Sequence, residues 1–379
     1  MTGLSKPTVK EVVDDLLRDR FIMESPVADD GDLPRTGRIG RRPRPLAFRA
    51  DLGYVLGLDV GADKILAVVA DASGAVVATS RRKSAPQIHA GPRAMLTAVR
   101  TTAHDALAAG GIDPARLTAV GVGTPGVVDP ASGRISLAPQ IVGWDGLALG
   151  HEIERWFPCP VYVDGETHLS LLAERRIGVA RNIDDAVYVH IGVGISCGIL
   201  VGGAIYRGAN GAAGEIGYLT VVAHAARPAD GSGPFEFAAG GGAFARRGQQ
   251  AAAGAAGAVL RDLAGGDPAA VDAVVVFAAA QRHDAAALEI VEDLTTLLAR
   301  GIASVVTTLN PATVVIGGGL SRAGAALLAP LAARVCALVP MPPRFVLSSL
   351  GDQAVALGAV QLALQALDER LFGLTNALV

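Results

Sequence analysis

Two halves that each open on a β-meander and then cross into helices predict an α/β protein, a duplicated actin-like (ribonuclease H-like) ATPase fold of two lobes. Glycine turns at strand ends in both halves point the same way. So does the length: 379 residues are too many for one ordinary domain and comfortable for two or three. The reading divides the chain into a head and basic linker over 1–49, an N-terminal lobe over 50–163 and a C-terminal lobe over 164–379. The last helix is expected to pack back on the first lobe.

The head begins with a helix over residues 5–20. Ser5 is a good N-cap, Pro7 suits the first turn, and Val9, Val12, Val13, Leu16 and Leu17 share one face. A short extended run, Arg20-Phe-Ile-Met-Glu24, follows. Residues 25–49 read as a loop, acidic at first and then basic, with Arg35, Arg38, Arg41, Arg42, Arg44 and Arg49 interleaved with Pro43 and Pro45. Strands are expected at 54–59, 65–70 and 75–79, then a helix near 90–109. A strand at 117–123 runs into the Thr124-Pro125-Gly126 turn. A helix at 149–156 leads to a strand at 161–163, and another helix runs to about Arg176. Residues 186–206 make an apolar hairpin broken at Gly192-Val-Gly194. Residues 238–308 are largely helical, strands follow at 313–316 and 345–348, and a helix over 354–367 closes the pattern.

Half of the residues are apolar and the formal net charge is -3, so the whole molecule is no electrostatic nucleic-acid binder; local charge has to carry that role. Cys159, Cys197 and Cys336 are odd in number and widely spaced, which argues against a disulfide framework and suits a reducing cytoplasm. Residues 186–206 are almost long enough to span a bilayer, but their glycines favour a hairpin. The expectation is a soluble, cytoplasmic protein without a membrane partner.

Three turns carry the chemistry. Asp59-Val-Gly61, Gly192-Val-Gly194 and Gly317-Gly318-Gly319 each end a strand, where backbone N–H groups can meet phosphate. Alone, each reads better as a plain hairpin turn. Together they make a nucleotide cleft plausible. Alternation along the extended segment places Asp164 and Glu166 on one face, toward the cleft. Lys6, Thr8 and Lys10 lie off the valine face of the first helix. That arrangement suits base edges and phosphates, and it equally suits a solvated helix.

Several motifs resemble the ROK family of repressors and sugar kinases, over almost the whole length. Gly123-Thr-Pro-Gly-Val-Val-Asp129 is similar to its GTPGxVD turn. Arg207-Gly-Ala-Asn-Gly-Ala-Ala-Gly-Glu-Ile-Gly217 is similar to its RGxxGxAGEIG signature. Asn310-Pro through Gly319 and Leu357-Gly-Ala359 match the end of the pattern. The N-terminal segment and Gly40-Arg-Arg-Pro-Arg-Pro45 resemble the winged helix-turn-helix of the repressor branch, here partial: either its upstream half lies before the present start, or the head is truncated and binds DNA weakly. The resemblance implies DNA contacts at Ser5, Lys6, Thr8, Lys10, Arg38, Arg41, Arg42 and Arg44. It implies sugar contacts at Gln140, Glu166 and Glu215, and a weak or vestigial nucleotide site at Asp59, Gly61, Gly192, Gly194, Gly317 and Gly318.

The departures from the family pattern decide the expected function. Where family kinases carry Glu-Asn-Asp, with the Asp as general base, this chain has Asp164-Gly165-Glu166. Glu166 holds the base position one methylene too long, and a misplacement of that order costs about two orders of magnitude in rate. Asp63 replaces the phosphate-loop threonine and would repel a triphosphate by ~4 kcal/mol per close charge pair before screening. Gln140 stands for the sugar-contacting asparagine. The zinc run is replaced by Ala229-Asp-Gly-Ser-Gly-Pro-Phe-Glu236, which has no thiolate, and His224 is the only imidazole nearby. No metal and no structural zinc are expected, and ATP with magnesium only if the kinase alternative holds. The reading is a sugar-responsive transcriptional regulator with kinase activity lost, working as a homodimer or homotetramer with operator DNA and a carbohydrate effector as partners. The alternatives are an ATP-dependent hexose or N-acetylhexosamine kinase, and a ligand-binding remnant with neither activity.

Overall fold

The computed structural model describes residues 3–24, 45–88, 90–221, 228 and 231–373. Two five-stranded mixed sheets organise it. The first contains β1 (Tyr54–Val60), β2 (Lys64–Asp71), β3 (Val76–Lys83), β4 (Leu117–Thr124) and β5 (Val161–Gly165), in the order β3-β2-β1-β4-β5. The second contains β6 (Ala186–Ile191), β7 (Ile195–Val201), β8 (Ala204–Ile205), β9 (Thr313–Gly317) and β10 (Arg344–Leu347), in the order β8-β7-β6-β9-β10. In each sheet the first three strands run antiparallel, and the fourth and fifth join parallel. The same order occurs twice, which is the duplicated actin-like arrangement.

The central strands are apolar on both faces because helices cover both. Leu56, Leu58, Val60, Ile65, Ala67 and Val69 pack on Met95, Val99 and Ala103 of helix α2 (Pro92–Ala109; α1 is Lys6–Arg18 in the head). The alternate residues Val55, Leu66, Val68 and Ala70 pack on Ala356, Val360, Ala363 and Leu367. These belong to the closing helix (Ala354–Phe372, α5), so the last helix covers the first sheet. In the second lobe, helix α4 (Ala285–Leu309) and its neighbours bury Val187, Val189, Ile191, Val314 and Ile316.

Helix α3 (Glu166–Ile177) lies between the sheets and meets α5 closely. At the crossing a Cβ on Gly358 would stand 1.9 Å from the Leu169 carbonyl oxygen. Only a glycine lets the helices approach so far, which gives Leu357-Gly-Ala359 a packing reason. Fully buried Glu174 of α3 accepts bonds from Ser348 Oγ (2.6 Å), the Ser349 N–H (3.0 Å) and the Val179 N–H (2.7 Å), tying the segment after β10 to this helix.

In the head, α1 starts at Ser5, whose hydroxyl accepts from the Thr8 N–H. Strand Ile22–Glu24 pairs antiparallel with Leu46–Phe48. The second of these strands corrects the sequence reading, which had a loop throughout 25–49; a three-residue strand beside a proline-rich basic run leaves no periodic signal. Arg38, Arg41, Arg42 and Arg44 lie outside the described residues, as does His224. No helix of the described residues is long and apolar enough to cross a membrane.

Candidate functional site

Between the lobes a cleft holds about 630 Å³ of space that runs out into solvent, and Gln140, Glu166, Glu215, His168 and Glu236 supply much of its polar lining. Each side chain arrives by a separate device. Gln140 sits on the segment after β4, pinned where the buried Trp144 Nε1 donates to Thr124 Oγ1 at 2.8 Å. Glu166 is the first residue of α3, where the helix dipole favours a carboxylate. Glu215 follows Gly214, whose φ is +95° and where a Cβ would stand 1.8 Å from the Cys197 carbonyl oxygen, which excludes any side chain. That glycine joins the loop to β7, since the Cys197 N–H donates to its carbonyl at 2.7 Å.

The three sugar contacts expected from sequence, Gln140, Glu166 and Glu215, therefore meet in one cleft. Gly194 lines it as well. Asp59, Gly61, Gly192, Gly317 and Gly318 are outside that lining. Gly317 and Gly318 adjoin the end of β6 because β9 runs parallel beside it, with His190 in register with Gly317. Their lack of side chains also has a packing cause: a Cβ would strike the Tyr188 hydroxyl at Gly317 and the Ile191 backbone at Gly318.

Asp59 is buried and ion-paired with Lys64. Burial pushes its carboxyl up, against the pull of Lys64, and Glu166 pushes it further. It is close enough to the cleft to feel Glu166 and His190, but it is not a free ligand for a metal-bound phosphate. Gly61 closes this turn, its N–H donating to the Lys64 carbonyl at 2.9 Å.

Asp164 corrects the alternation argument. Strand β5 ends at Gly165 and α3 starts at Glu166, so Glu166 faces the cleft while Asp164 turns inward. Its Oδ1 accepts from His168 Nδ1 and from the Gly165 N–H, both at 2.8 Å. Its Oδ2 accepts from Arg207 Nε at 3.0 Å and Nη2 at 2.8 Å. Burial works to raise this carboxyl, but His168 and Arg207 outweigh it and hold it below the usual carboxylate range. Arg207 opens the glycine loop that carries Glu215, so this ion pair sets that loop against α3.

Sequence reading missed His168 and Glu236. His168 is 5% exposed and lines the cleft. Its spacing of four from Asp164 was the available signal. Glu236 lies in the first turn of helix Pro234–Ala239, and its Oε2 accepts from the Ile195 N–H at 3.1 Å. It stands in the run compared with a zinc module, where attention falls on missing thiolates.

The cleft is acidic. Burial, then Glu166 and Glu236, push the Glu215 carboxyl up to about 7, against a smaller pull from His168. Among the described residues no lysine or arginine is in the lining. Among the described residues no three His, Cys, Asp or Glu side chains group to hold a metal ion. Chemically the cleft offers carboxylate, amide and imidazole groups to a donor-rich ligand.

A profile of the ROK family matches residues 55–366. The xylose repressor of Bacillus subtilis (strain 168) is 26% identical over 363 residues, covering 94% of this chain and 87% of that protein. A glucokinase of Halalkalibacterium halodurans is 31% identical over 255 residues, 66% of this chain and 77% of the relative. Among solved structures, a ROK family glucokinase from Streptomyces griseus in complex with glucose and AMPPNP matches with a TM-score of 0.73 at 27% identity, covering 83% of this chain and all of that one (100%). A ROK family transcriptional regulator, a homologue of the E. coli MLC protein, shares the fold with a TM-score of 0.72 at 22% identity, over 95% of this chain and 89% of its own.

Proposed function

We propose that this chain, which belongs to the ROK family, is a sugar-responsive DNA-binding repressor of carbohydrate metabolism that has lost kinase activity. The observation that carries the reading is the union of two parts in one chain. An N-capped, solvent-exposed helix with a two-stranded wing precedes a cleft of sugar-type acceptors. Similarity to xylose repressors extends over 94% of the chain, head included. Lys6, Thr8 and Lys10 are all exposed and available for phosphate and base edges.

On this reading the protein works as a homodimer or homotetramer on a two-fold operator, and a sugar in the cleft changes the relative angle of the lobes and so the spacing of paired heads. Xylose is the first effector to try, with glucose next. Neither ATP, magnesium nor zinc takes part: Asp59 is internally paired, and the run ending at Glu236 offers no thiolate.

The rival reading is an ATP-dependent hexose or N-acetylhexosamine kinase with Glu166 as base. The glucokinase relative and the survival of a carboxylate at Glu166 favour it. Two measurements on the full chain separate them. A coupled ADP-release assay over a panel of monosaccharides should give no turnover above background; robust turnover abolished by Glu166→Gln would establish the kinase instead. A mobility shift with DNA from the chain's own upstream region should show binding that a sugar weakens. Replacing Lys6 and Lys10 by Ala should reduce the slope of log affinity against log salt by about 1.8.

A further inference from the structure

The imidazole of His168 is held more tightly than packing alone requires. Asp164, kept ionised by two bonds from Arg207, can only accept, so His168 Nδ1 must donate at 2.8 Å. That fixes both the ring orientation and the tautomer. With Nδ1 committed to Asp164, the ring has one polar atom left, Nε2, which accepts a hydrogen bond whenever the imidazole is neutral. Among the described residues Nε2 makes no hydrogen bond, yet the ring is 5% exposed and what it reaches is the cleft.

A second orphan faces the same space. Gln140 Oε1 is buried without a donor, on the opposite lobe's segment. Two acceptors without a partner among the described residues, on side chains that line one cleft beside Glu166 and Glu215, suit a ligand that brings several O–H donors. A phosphate there would find no lysine or arginine among the described lining residues and would lie among like charges.

We propose that His168 is a ligand contact of this cleft, its Nε2 accepting a hydrogen bond from a hydroxyl of an unphosphorylated sugar, with Asp164 and Arg207 as positioning residues. The proposal rests on the sugar-sensor reading above and adds a residue and a charge class to it. It assigns the Asp164–His168–Arg207 chain a task besides joining the glycine loop to α3. An occupied cleft then fixes α3 and the Glu215 loop through one ligand.

Calorimetric titration of the full chain with xylose, glucose and glucose 6-phosphate tests it, beside His168→Asn, which can still donate to Asp164 but has no atom at the Nε2 position. The expected result is a fall in affinity of about tenfold for the neutral sugar, as for one lost hydrogen bond. Glucose 6-phosphate should bind at least tenfold more weakly than glucose. Nitrogen-15 NMR of the histidines gives a readout that packing would not move: an unprotonated Nε2 in the free protein whose resonance shifts on sugar addition, and loss of that tautomer in Asp164→Asn. Equal affinity of wild type and His168→Asn, or an Nε2 that carries the proton, overturns the contact and leaves the sensor reading intact. Equal binding of glucose 6-phosphate overturns the charge class. Absence of binding by wild type to every sugar overturns the sensor reading and the contact with it.

Discussion

The hairpin turn between the first two strands occurs once in each sheet, and the two copies treat charge in opposite ways. In the first lobe the turn after β1 starts at Asp59, buried and paired with Lys64 across the hairpin. In the second lobe the turn after β6 is Gly192-Val-Gly194, without charge, and the acids that approach it, Glu236 and Glu215, come from other segments. One lobe neutralises its carboxylate internally. The other brings Glu215 and Glu236 together, where Glu166 and Glu236 raise the Glu215 carboxyl. Equal topology therefore does not carry equal chemistry: the first turn holds an ion pair of its own chain, whereas the second carries no charge of its own.

The sharpest way to break this contrast is Lys64→Ala. It leaves Asp59 buried without a cation and should destabilise the protein by about 3–5 kcal/mol in chemical denaturation. A loss under about 1 kcal/mol would mean that Asp59 does not depend on its partner. Next in size is Glu236→Ala, which takes an acceptor from the Ile195 N–H and should cost about 1–3 kcal/mol by the same method.

The titration of Glu215 sharpens the contrast at about tenfold in affinity. Its folded value of about 7 exceeds the ordinary 4.5, so the folded state binds the extra proton. Stability contributed by this group is full below about 4.5 and falls as pH rises to about 7. Sugar binding has the opposite sign, because the ionised carboxylate is the better acceptor for ligand hydroxyls. Affinity should rise about tenfold from pH 6 to pH 8, and Glu215→Gln should flatten both profiles, with Glu166, Glu236 and His168 still facing the position. Smallest of all, Val193→Ala at the tip of the second turn, 71% exposed, should change stability by no more than about 0.5 kcal/mol.

Much of the architecture was legible because buried strands such as Ile65-Leu-Ala-Val-Val-Ala70 and punctuating glycines leave strong local patterns. Gln140, Glu166 and Glu215 were expected together from the family resemblance, and the structure places all three in the lining of one cleft. What escaped depended on where elements stop. Period-two alternation put Asp164 beside Glu166; one residue of difference in the end of β5 turned it to Arg207 and His168 instead. The bond between Arg207 and Asp164 spans 43 positions, beyond any local pattern. Glu236 escaped because no motif at hand assigned it a role.

One feature of the fold governs how the protein comes into being. The apolar face formed by Val55, Leu66, Val68 and Ala70 is sealed by residues of helix α5. Synthesis proceeds from the other end, so the ribosome makes that sheet some three hundred residues before its cover emerges. At about 5–20 residues per second, the nascent chain carries a bare hydrophobic surface for a quarter of a minute or more. A premature stop before residue 354 would leave that surface permanently uncovered, a ready target for chaperones and proteases.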